Sequence, residues 1–524
     1  MRKAPGTDCS RSVWLAAVAL VAVLTAVSFI PPQSFGRVKL RRANIFSDIA
    51  VFDDTATPET APALFDEEEF RVDLAEVVER IEAEVVPAHV PTLYEWCALP
   101  DTTTRRPIRI DTVHRKRVVP IEEFDTERCD GMQAFYDTLL TSRRTVRIAV
   151  LGDSFIEGDI LTADLRERLQ ERYGGGGTGF APMASPLTAF RRTVKTVSKG
   201  WSAHNIMQRK KTPPTLRDKF YISGWVCQAT PGASTRWEAT DYRRRLCECS
   251  CGRIFFLSPN DSRLEVTVND SLRREFAVEG DAAVRQIAVT APRIGSLTFR
   301  VVSGAEEFVG YGAVLEGRGV TVDNYSIRSN NGQAMFWTDP SIDAQIDAML
   351  DYDLVILQYG LNIMQTGVHD YTNYGLKIEK MIAFVRECFP GAAVLVLGVS
   401  DRSGRTENGF RPMDAIPHML ACQRRAARNA RAAFWSTYDA MRMQGGMARF
   451  VQTGWAGKDF THINYAGGSR IAWALADAFD ERVNARAAQC RRTRIYMSVM
   501  DSLQTAGLRQ QLLPGLQPPK SVRP

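Results

Sequence analysis

Short aliphatic runs recur along the chain, each set beside a stretch with helical spacing. Residues 146–152 read Val-Arg-Ile-Ala-Val-Leu-Gly, and the helical stretch after them covers 161–173. Residues 353–357 and 394–399 form further runs, with helical spacing over 342–350, 376–388 and 414–433. A strand covered on both faces reads as a continuous apolar run instead of an alternating one. Helices between such strands build a parallel sheet, so the pattern predicts an α/β fold.

Between 185 and 315 the period changes. Residues 253–257, 263–268, 274–278, 284–289 and 296–301 alternate apolar and polar positions, with turn residues such as Pro259-Asn260-Asp261, Asn269-Asp270 and Glu279-Gly280-Asp281 between them. Short alternating strands at regular intervals predict an inserted β-sandwich of jelly-roll type. Residues 319–323 then return the chain to the parallel sheet.

The amino-terminal end differs again. Residues 13–30 carry no charge and lie between Arg2, Lys3 and Arg11 on one side and Pro31-Pro32 on the other. That length is enough to cross a bilayer as a helix, and positive charge ahead of it favours an exported body. The expectation is a signal-anchor in inner-membrane lipid with the body on the periplasmic side, and cleavage followed by secretion is the alternative. Residues 53–70 are acidic and rich in Pro, Thr and Ala, as in a solvated linker, and 72–85 have the spacing of a spacer helix. The expected division is 1–30 membrane segment, 31–120 linker and spacer, 121–184 first part of the α/β domain, 185–315 insertion, 316–490 second part, and 491–524 tail.

Composition narrows the partners. The chain has 524 residues, 45% hydrophobic and 24% charged, with a net charge of +6. The basic residues are dispersed among acidic ones without a run interleaved with aromatics, so nucleic acid is not an expected partner.

Candidate chemistry begins at Gly152-Asp153-Ser154. A serine just past a parallel strand stands at the carboxyl edge of the sheet, where open α/β folds keep their ligand sites. A helix starting there would turn N–H groups and the positive end of its dipole toward an oxyanion. Alone, the tripeptide reads better as a junction in which Asp153 or Ser154 caps a helix. Asp459-Phe460-Thr461-His462 changes the balance, because one loop then supplies both the general base a serine needs and the carboxylate that orients it.

In this order the motifs resemble the blocks of SGNH (GDSL-type) hydrolases. Gly152-Asp153-Ser154 matches the first block, Gly332 the second, Gly360-Leu361-Asn362 the third, and Asp459 with His462 the fourth. Ile363 stands where the family has Asp, and Asn331 where it has Ser before the glycine. Ser154 and Gly332 are 178 residues apart, whereas a βαβ unit accounts for about 30–40. The excess is the insertion, and this arrangement is similar to the cell-envelope branch that includes peptidoglycan O-acetylesterases.

The resemblance implies a three-layer fold around the parallel sheet, catalytic Ser154, Asp459 and His462, and an oxyanion hole formed by the Ser154 N–H, the Gly332 N–H and the Asn362 amide. It implies a serine esterase that removes O-acetyl or other short acyl groups from a cell-envelope glycan, with no cofactor. An O-acyltransferase acting on an exopolysaccharide or wall polymer with the same triad is the alternative, and a non-catalytic glycan-binding protein is a second one. Trp201, Tyr221, Trp225, Trp237 and Tyr242 lie in or near the insertion. Such rings stack on sugars or pack a core, and packing is the commoner use.

Cys247, Cys249 and Cys251 alternate along one strand face, with Cys227 upstream. A disulfide from Cys227 to one of them suits an exported protein. The spacing does not match a zinc knuckle, and His89, His114, His204, His369 and His418 have no ligand-like spacing, so no metal is expected.

Overall fold

The computed structural model describes residues 33–35, 38–40, 93–98, 118–141, 144–406 and 409–505. The chain divides into two units, 1–66 and 67–524. The first contains a hairpin of β1 (Gln33–Phe35) and β2 (Val38–Leu40). The expected membrane segment, spacer helix and tail beyond 505 lie outside the described residues. Among the described residues no helix is long and apolar enough to cross a membrane.

The second unit runs β3 (Leu93–Cys97), β4 (Glu122–Glu123), α1 (Met132–Thr141), β5 (Val146–Gly152), α2 (Thr162–Tyr173), β6 (Gly179–Pro182), β7 (Val194–Asn205) and β8 (Trp225–Ala239). It continues through β9 (Cys251–Leu257), β10 (Ser262–Val268), β11 (Leu272–Val278), β12 (Val284–Thr290), β13 (Ser296–Ser303), β14 (Val309–Glu316) and β15 (Val320–Ser326). Then come α3 (Pro340–Leu350), β16 (Leu354–Gln358), α4 (Thr372–Cys388), β17 (Ala393–Gly398), β18 (Ser403–Thr406), β19 (Gly409–Pro412), α5 (Ala415–Asn429), β20 (Ala433–Ser436), α6 (Thr437–Arg442), α7 (Gly446–Gln452) and α8 (Tyr465–Thr505).

The aliphatic runs become one sheet in the order β15-β5-β16-β17-β20, all parallel, with β4 antiparallel on the outer edge. Every residue of β5, β16, β17 and β20 is buried. Side chains alternate between the two faces of a strand, so both faces are covered. One group of helices is α8 packed on α1 and α2, and another is α4 packed on α3 and α5. The first of these parallel strands in the chain, β5, sits between the second, β15, and the third, β16. That order places the topological switch point beside β5, and ligands of open α/β sheets bind at the carboxyl ends of strands there.

The alternating strands form a second sheet, ordered β11-β10-β13-β8-β14-β9-β12-β3, with β7 on β8 and β6 on β14. The expected sandwich therefore takes the form of one hydrogen-bonded sheet of ten strands. All its pairings are antiparallel except β12 with β3. β3 belongs to the region expected to be linker, and β6 to the region expected to be the α/β domain. The alternation is real: Leu264, Val266 and Val268 are buried in β10 while Arg263 is exposed. These apolar positions meet Ile254, Phe256, Phe276, Ile287, Phe299 and Phe308 in a single core.

The two sheets join where β14 gives way to β15. Arg147 of β5 is buried against Glu316, the last residue of β14, and Arg253 of β9 reaches the same carboxylate at 2.8 Å. Burial alone would raise the Glu316 carboxyl, but the two guanidiniums outweigh it and hold it at about 2. Asp323 of β15 accepts the Phe180 N–H of β6 at 2.7 Å, a second tie between the sheets.

No disulfide joins the cysteines of this region. Cys227, Cys247 and Cys249 are free thiols that donate separately to the carbonyls of Ala184, Thr240 and Cys251.

Candidate active site

Ser154 stands two residues past the carboxyl end of β5 in a tight turn, closed by the Ile156 N–H on the Asp153 carbonyl at 3.3 Å. The helix expected at this point starts later. A 3-10 turn, Glu157–Asp159, intervenes, and positive φ at Gly158 (61°) and Asp159 (68°) breaks it from α2. Ser154 therefore does not stand at the N-terminus of α2. No acceptor among the described residues takes the Ser154 N–H, which leaves it available to a ligand. Gly152 is required for close approach: a Cβ there would lie 2.7 Å from Gln358 Oε1 and 2.8 Å from Ile156 Cδ1.

His462 comes from the loop that precedes α8. The Gly457 N–H donates to the His462 carbonyl at 2.7 Å and the Phe460 N–H to the Gly457 carbonyl at 3.1 Å, a fold that turns the loop back on itself. Asn464 caps α8, its Oδ1 accepting the N–H groups of Ala466 and Gly467. Within this loop Asp459 Oδ1 accepts the backbone N–H of both Thr461 and His462 at 3.1 Å, and Oδ2 lies 2.6 Å from His462 Nδ1. A proton on Nδ1 leaves Nε2 as an acceptor, 3.3 Å from Ser154 Oγ across 308 residues of sequence. Desolvation pushes the Asp459 carboxyl up, but the His462 contact and the two N–H donors outweigh it and hold it below its ordinary range.

Asn362, four residues past β16, faces the same edge. Its Nδ2 donates to Asp153 Oδ2 at 3.1 Å and to the Asn330 carbonyl at 2.9 Å. The structure thus brings Ser154, Asp459, His462 and Asn362 to one strand edge. Gly332 is handled differently. Its N–H is given to Asn330 Oδ1 at 2.9 Å inside a buried turn. Its φ of 95° and the Met381 Sδ that a Cβ would meet at 2.3 Å explain the glycine without any role for its N–H in the cleft.

Three residues around the site escaped the sequence reading. Asn330 is 1% exposed and organises the turn: Oδ1 takes Gly332 and Ala334, the carbonyl takes Asn362, and Nδ2 has no partner among the described residues. Tyr465 OH donates to the carbonyls of Gly158 and Phe190 at 2.6 and 2.9 Å, clipping the start of α8 onto the turn that follows Ser154. Phe410 of β19 stacks on Phe460 at 4.0 Å, inside the Asp459–His462 loop. Only Asn330 lay within a motif, and nothing in its spacing distinguished it.

The fully buried Asp153 carboxyl, between the N–H of Phe155 and the amide of Asn362, is pushed up to about 7 by desolvation. Of the aromatics singled out in the insertion, Trp237 and Tyr221 are buried in packing, Trp225 is nearly so, and Tyr242 pairs with Tyr465 under the Arg192 and Arg243 guanidiniums. Trp201 is half-buried.

No protein-family model and no curated protein sequence matches the chain. Solved structures do. A peptidoglycan O-acetylesterase aligns at 23% identity over 70% of this chain and 99% of its own, with a TM-score of 0.57. A family two carbohydrate esterase from Cellvibrio japonicus aligns at 9% identity over 56% of this chain and 99% of its own, with a TM-score of 0.25. At such identities the likeness is one of fold. The chain resembles the SGNH/GDSL hydrolases, and it shares its mixed α/β architecture with a peptidoglycan O-acetylesterase.

Proposed function

We propose that this chain is a serine ester hydrolase of the SGNH/GDSL type, removing O-acetyl or other short acyl groups from a cell-envelope glycan. The observation that carries the reading is the line Ser154 Oγ, His462 Nε2, His462 Nδ1, Asp459 Oδ2, with separations of 3.3 and 2.6 Å, at the carboxyl edge of a parallel sheet. His462 Nε2 takes the proton as Ser154 Oγ attacks the ester carbonyl, then gives it to the sugar oxygen as the ester C–O bond breaks, so that the sugar leaves as its hydroxyl. Asp459 holds the ring in the tautomer that leaves Nε2 basic and stabilises the imidazolium. The Ser154 N–H faces the developing oxyanion, and Asn362 joins it by turning one Nδ2 hydrogen away from Asp153 Oδ2 or the Asn330 carbonyl, which hold both in this structure. Water then resolves the acyl-enzyme by the same proton path in reverse.

In this reading β7–β14 of the ten-stranded sheet are the inserted domain, folded over one core as a β-sandwich with β3 and β6 added from outside it, and residues 13–30 anchor the exported body. The single core shared by strands from both ends of the sheet order supports the first, and the uncharged run supports the second. Turnover of a chromogenic acetyl ester by the wild-type protein, and its loss in Ser154→Ala, tests the proposal. Unchanged turnover in Ser154→Ala would sink it. Acetate released from an O-acetylated glycan, measured with and without an unacetylated acceptor, separates hydrolysis from transfer.

A further inference from the structure

A carboxyl without a cation lies between the nucleophile and its side-chain oxyanion donor. Asp153 directly precedes Ser154, yet its own side chain is fully buried. Its Oδ1 accepts the Phe155 N–H at 2.9 Å, and its Oδ2 accepts Asn362 Nδ2 at 3.1 Å from 209 residues away. Among the described residues no arginine or lysine pairs with it. Asp159, in the 3-10 turn that follows, is the contrast: burial opposes its ionisation too, but Arg166 and Arg191 hold it well below the carboxylate range. The titratable groups that face Asp153 are His462 from the loop ahead of α8, Tyr359 just past β16, and Tyr374 on α4. Burial first, and the Asp153 charge second, push both tyrosine hydroxyls up, so neither ionises beside it. At Asp153 desolvation outweighs the Phe155 N–H and His462, and its charge changes at about 7.

Asn362 supplies the other half. An amide nitrogen has two hydrogens, and both are in use, one on Asp153 Oδ2 and one on the Asn330 carbonyl at 2.9 Å. An oxyanion has to take one of them. The Asn330 carbonyl is fixed, because Asn330 is buried in a turn whose Gly332 and Ala334 N–H groups bond its Oδ1. The grip of Asp153 depends instead on its charge. A carboxylate holds a donor about twice as strongly as a neutral acceptor does, and a buried negative charge beside the reacting centre opposes a second one.

We propose that Asp153 is a positioning residue that acts through Asn362: as a carboxylate it keeps the Nδ2 hydrogen, and as a carboxylic acid it yields that hydrogen to the oxyanion at Ser154. The inference rests on the esterase reading and adds a regulator to it. His462 has to be unprotonated to act as base and Asp153 protonated to release Asn362, so the two set opposite limbs of one pH profile.

The test follows kcat on a chromogenic acetyl ester, and the rate at which a fluorophosphonate labels Ser154, from about pH 6 to about pH 8.5. The proteins are full-length wild type, Asp153→Asn and Asn362→Ala. Wild type should lose roughly ten-fold in both rates between pH 7 and pH 8.5. In Asp153→Asn, Oδ1 stays on the Phe155 N–H and the NH₂ group turned toward Asn362 accepts nothing from it. The alkaline decline should vanish there, leaving this variant roughly ten-fold faster than wild type at pH 8.5. Asn362→Ala should be slower throughout, by about 10²–10³-fold, and flat above pH 7. A purely structural Asp153 would leave the alkaline limb unchanged in both variants. Wild-type rates that do not fall overturn the proposal, as does a fall that persists in either variant, or an Asp153→Asn protein that is slow at every pH. Wild type that neither turns over ester nor takes label overturns the esterase reading itself, and this role for Asp153 with it; label taken up with an unaltered profile overturns the role alone.

Discussion

Asp459 does two jobs with one carboxylate, and the division between its oxygens is what mutation can expose. Oδ1 fastens its own loop through two N–H groups while Oδ2 faces His462 Nδ1. Asp459→Asn keeps the loop contacts on Oδ1 but turns an NH₂ toward Nδ1, which favours the tautomer with its proton on Nε2. The expected loss is about 10³–10⁴-fold in kcat with little change in KM, and steady-state kinetics retaining more than a tenth of wild-type kcat would remove Asp459 from the mechanism. Asp153 answers to pH instead. Its carboxyl sits at about 7 in the fold and near 3.9 in an unfolded chain. The folded state therefore binds the proton more tightly, so this group's stabilisation is complete below about pH 4 and is lost as pH rises through 7. Asp153→Asn removes that loss. Urea unfolding should show the variant gaining on wild type between pH 4 and pH 8 by about 4 kcal/mol, and a gap that does not vary with pH would contradict it. At this scale the sequence was readable where a role is local: Ser154 ends a strand, and Asp459 reaches His462 within one turn. Tyr465 acts through carbonyls supplied by distant segments, and Asn330 offers its own carbonyl to the distant Asn362 amide, which no spacing records.

The Asp459–His462 loop is held by an element whose sequence carries no pattern. β18 and β19 are a four-residue pair, Ser-Gly-Arg-Thr against Gly-Phe-Arg-Pro, too short and too polar to read as strands. The Ser403 N–H donates to the Phe460 carbonyl at 3.0 Å, and Phe410 covers the Phe460 ring in a near-parallel stack. Phe460 needs this support, because its φ of 54° is a left-handed conformation that costs a bulky residue free energy and persists only where surroundings impose it. Phe410 is 41% exposed, so its removal costs the global fold little. Phe410→Ala should lower kcat about ten-fold while leaving the melting temperature within a few degrees, since small displacements of a base cost rate steeply; Phe410→Tyr, which keeps the ring, should restore it. A kcat unchanged by Phe410→Ala, or a loss that Tyr does not rescue, removes the hairpin from control of His462. The elements that were legible are those whose burial is uniform or strictly alternating, such as β5 and β10. The pairing of strands in the second sheet was not, because β8 with β13 and β14 with β9 pair across long separations that periodicity does not encode.

At the scale of the whole second unit, the question is what keeps two sheets of different construction in one register. Only three residues separate the end of β14 from the start of β15, and the buried cluster of Arg147, Glu316 and Arg253 sits at that passage. Arg147 is 4% exposed at its side chain and Glu316 2%, whereas Arg253 is 24% exposed and can reach water. Removing Arg147 therefore strands a buried carboxylate with one partly solvated partner, while removing Glu316 leaves an arginine buried. Breaking such a pair costs about 3–5 kcal/mol, although a well-packed apolar replacement of the whole pair is often neutral. Arg147→Met should lower unfolding free energy by that amount at pH 7. The pH dependence fixes the cause. In the wild type the Glu316 carboxyl is held at about 2, so its contribution is present above its unfolded value near 4.3 and is lost as pH falls toward 2. Without Arg147, burial dominates and raises that carboxyl, so it protonates in mild acid and the stranded charge disappears. The gap between Arg147→Met and wild type should then be widest at neutral pH and narrow on acidification below about pH 4, and adding Glu316→Leu should recover most of it at pH 7 because Arg253 can turn to solvent. A deficit that is equal at pH 7 and pH 4, and that the second replacement does not relieve, would show that Arg147 contributes by filling space and that the sheets are joined by packing alone.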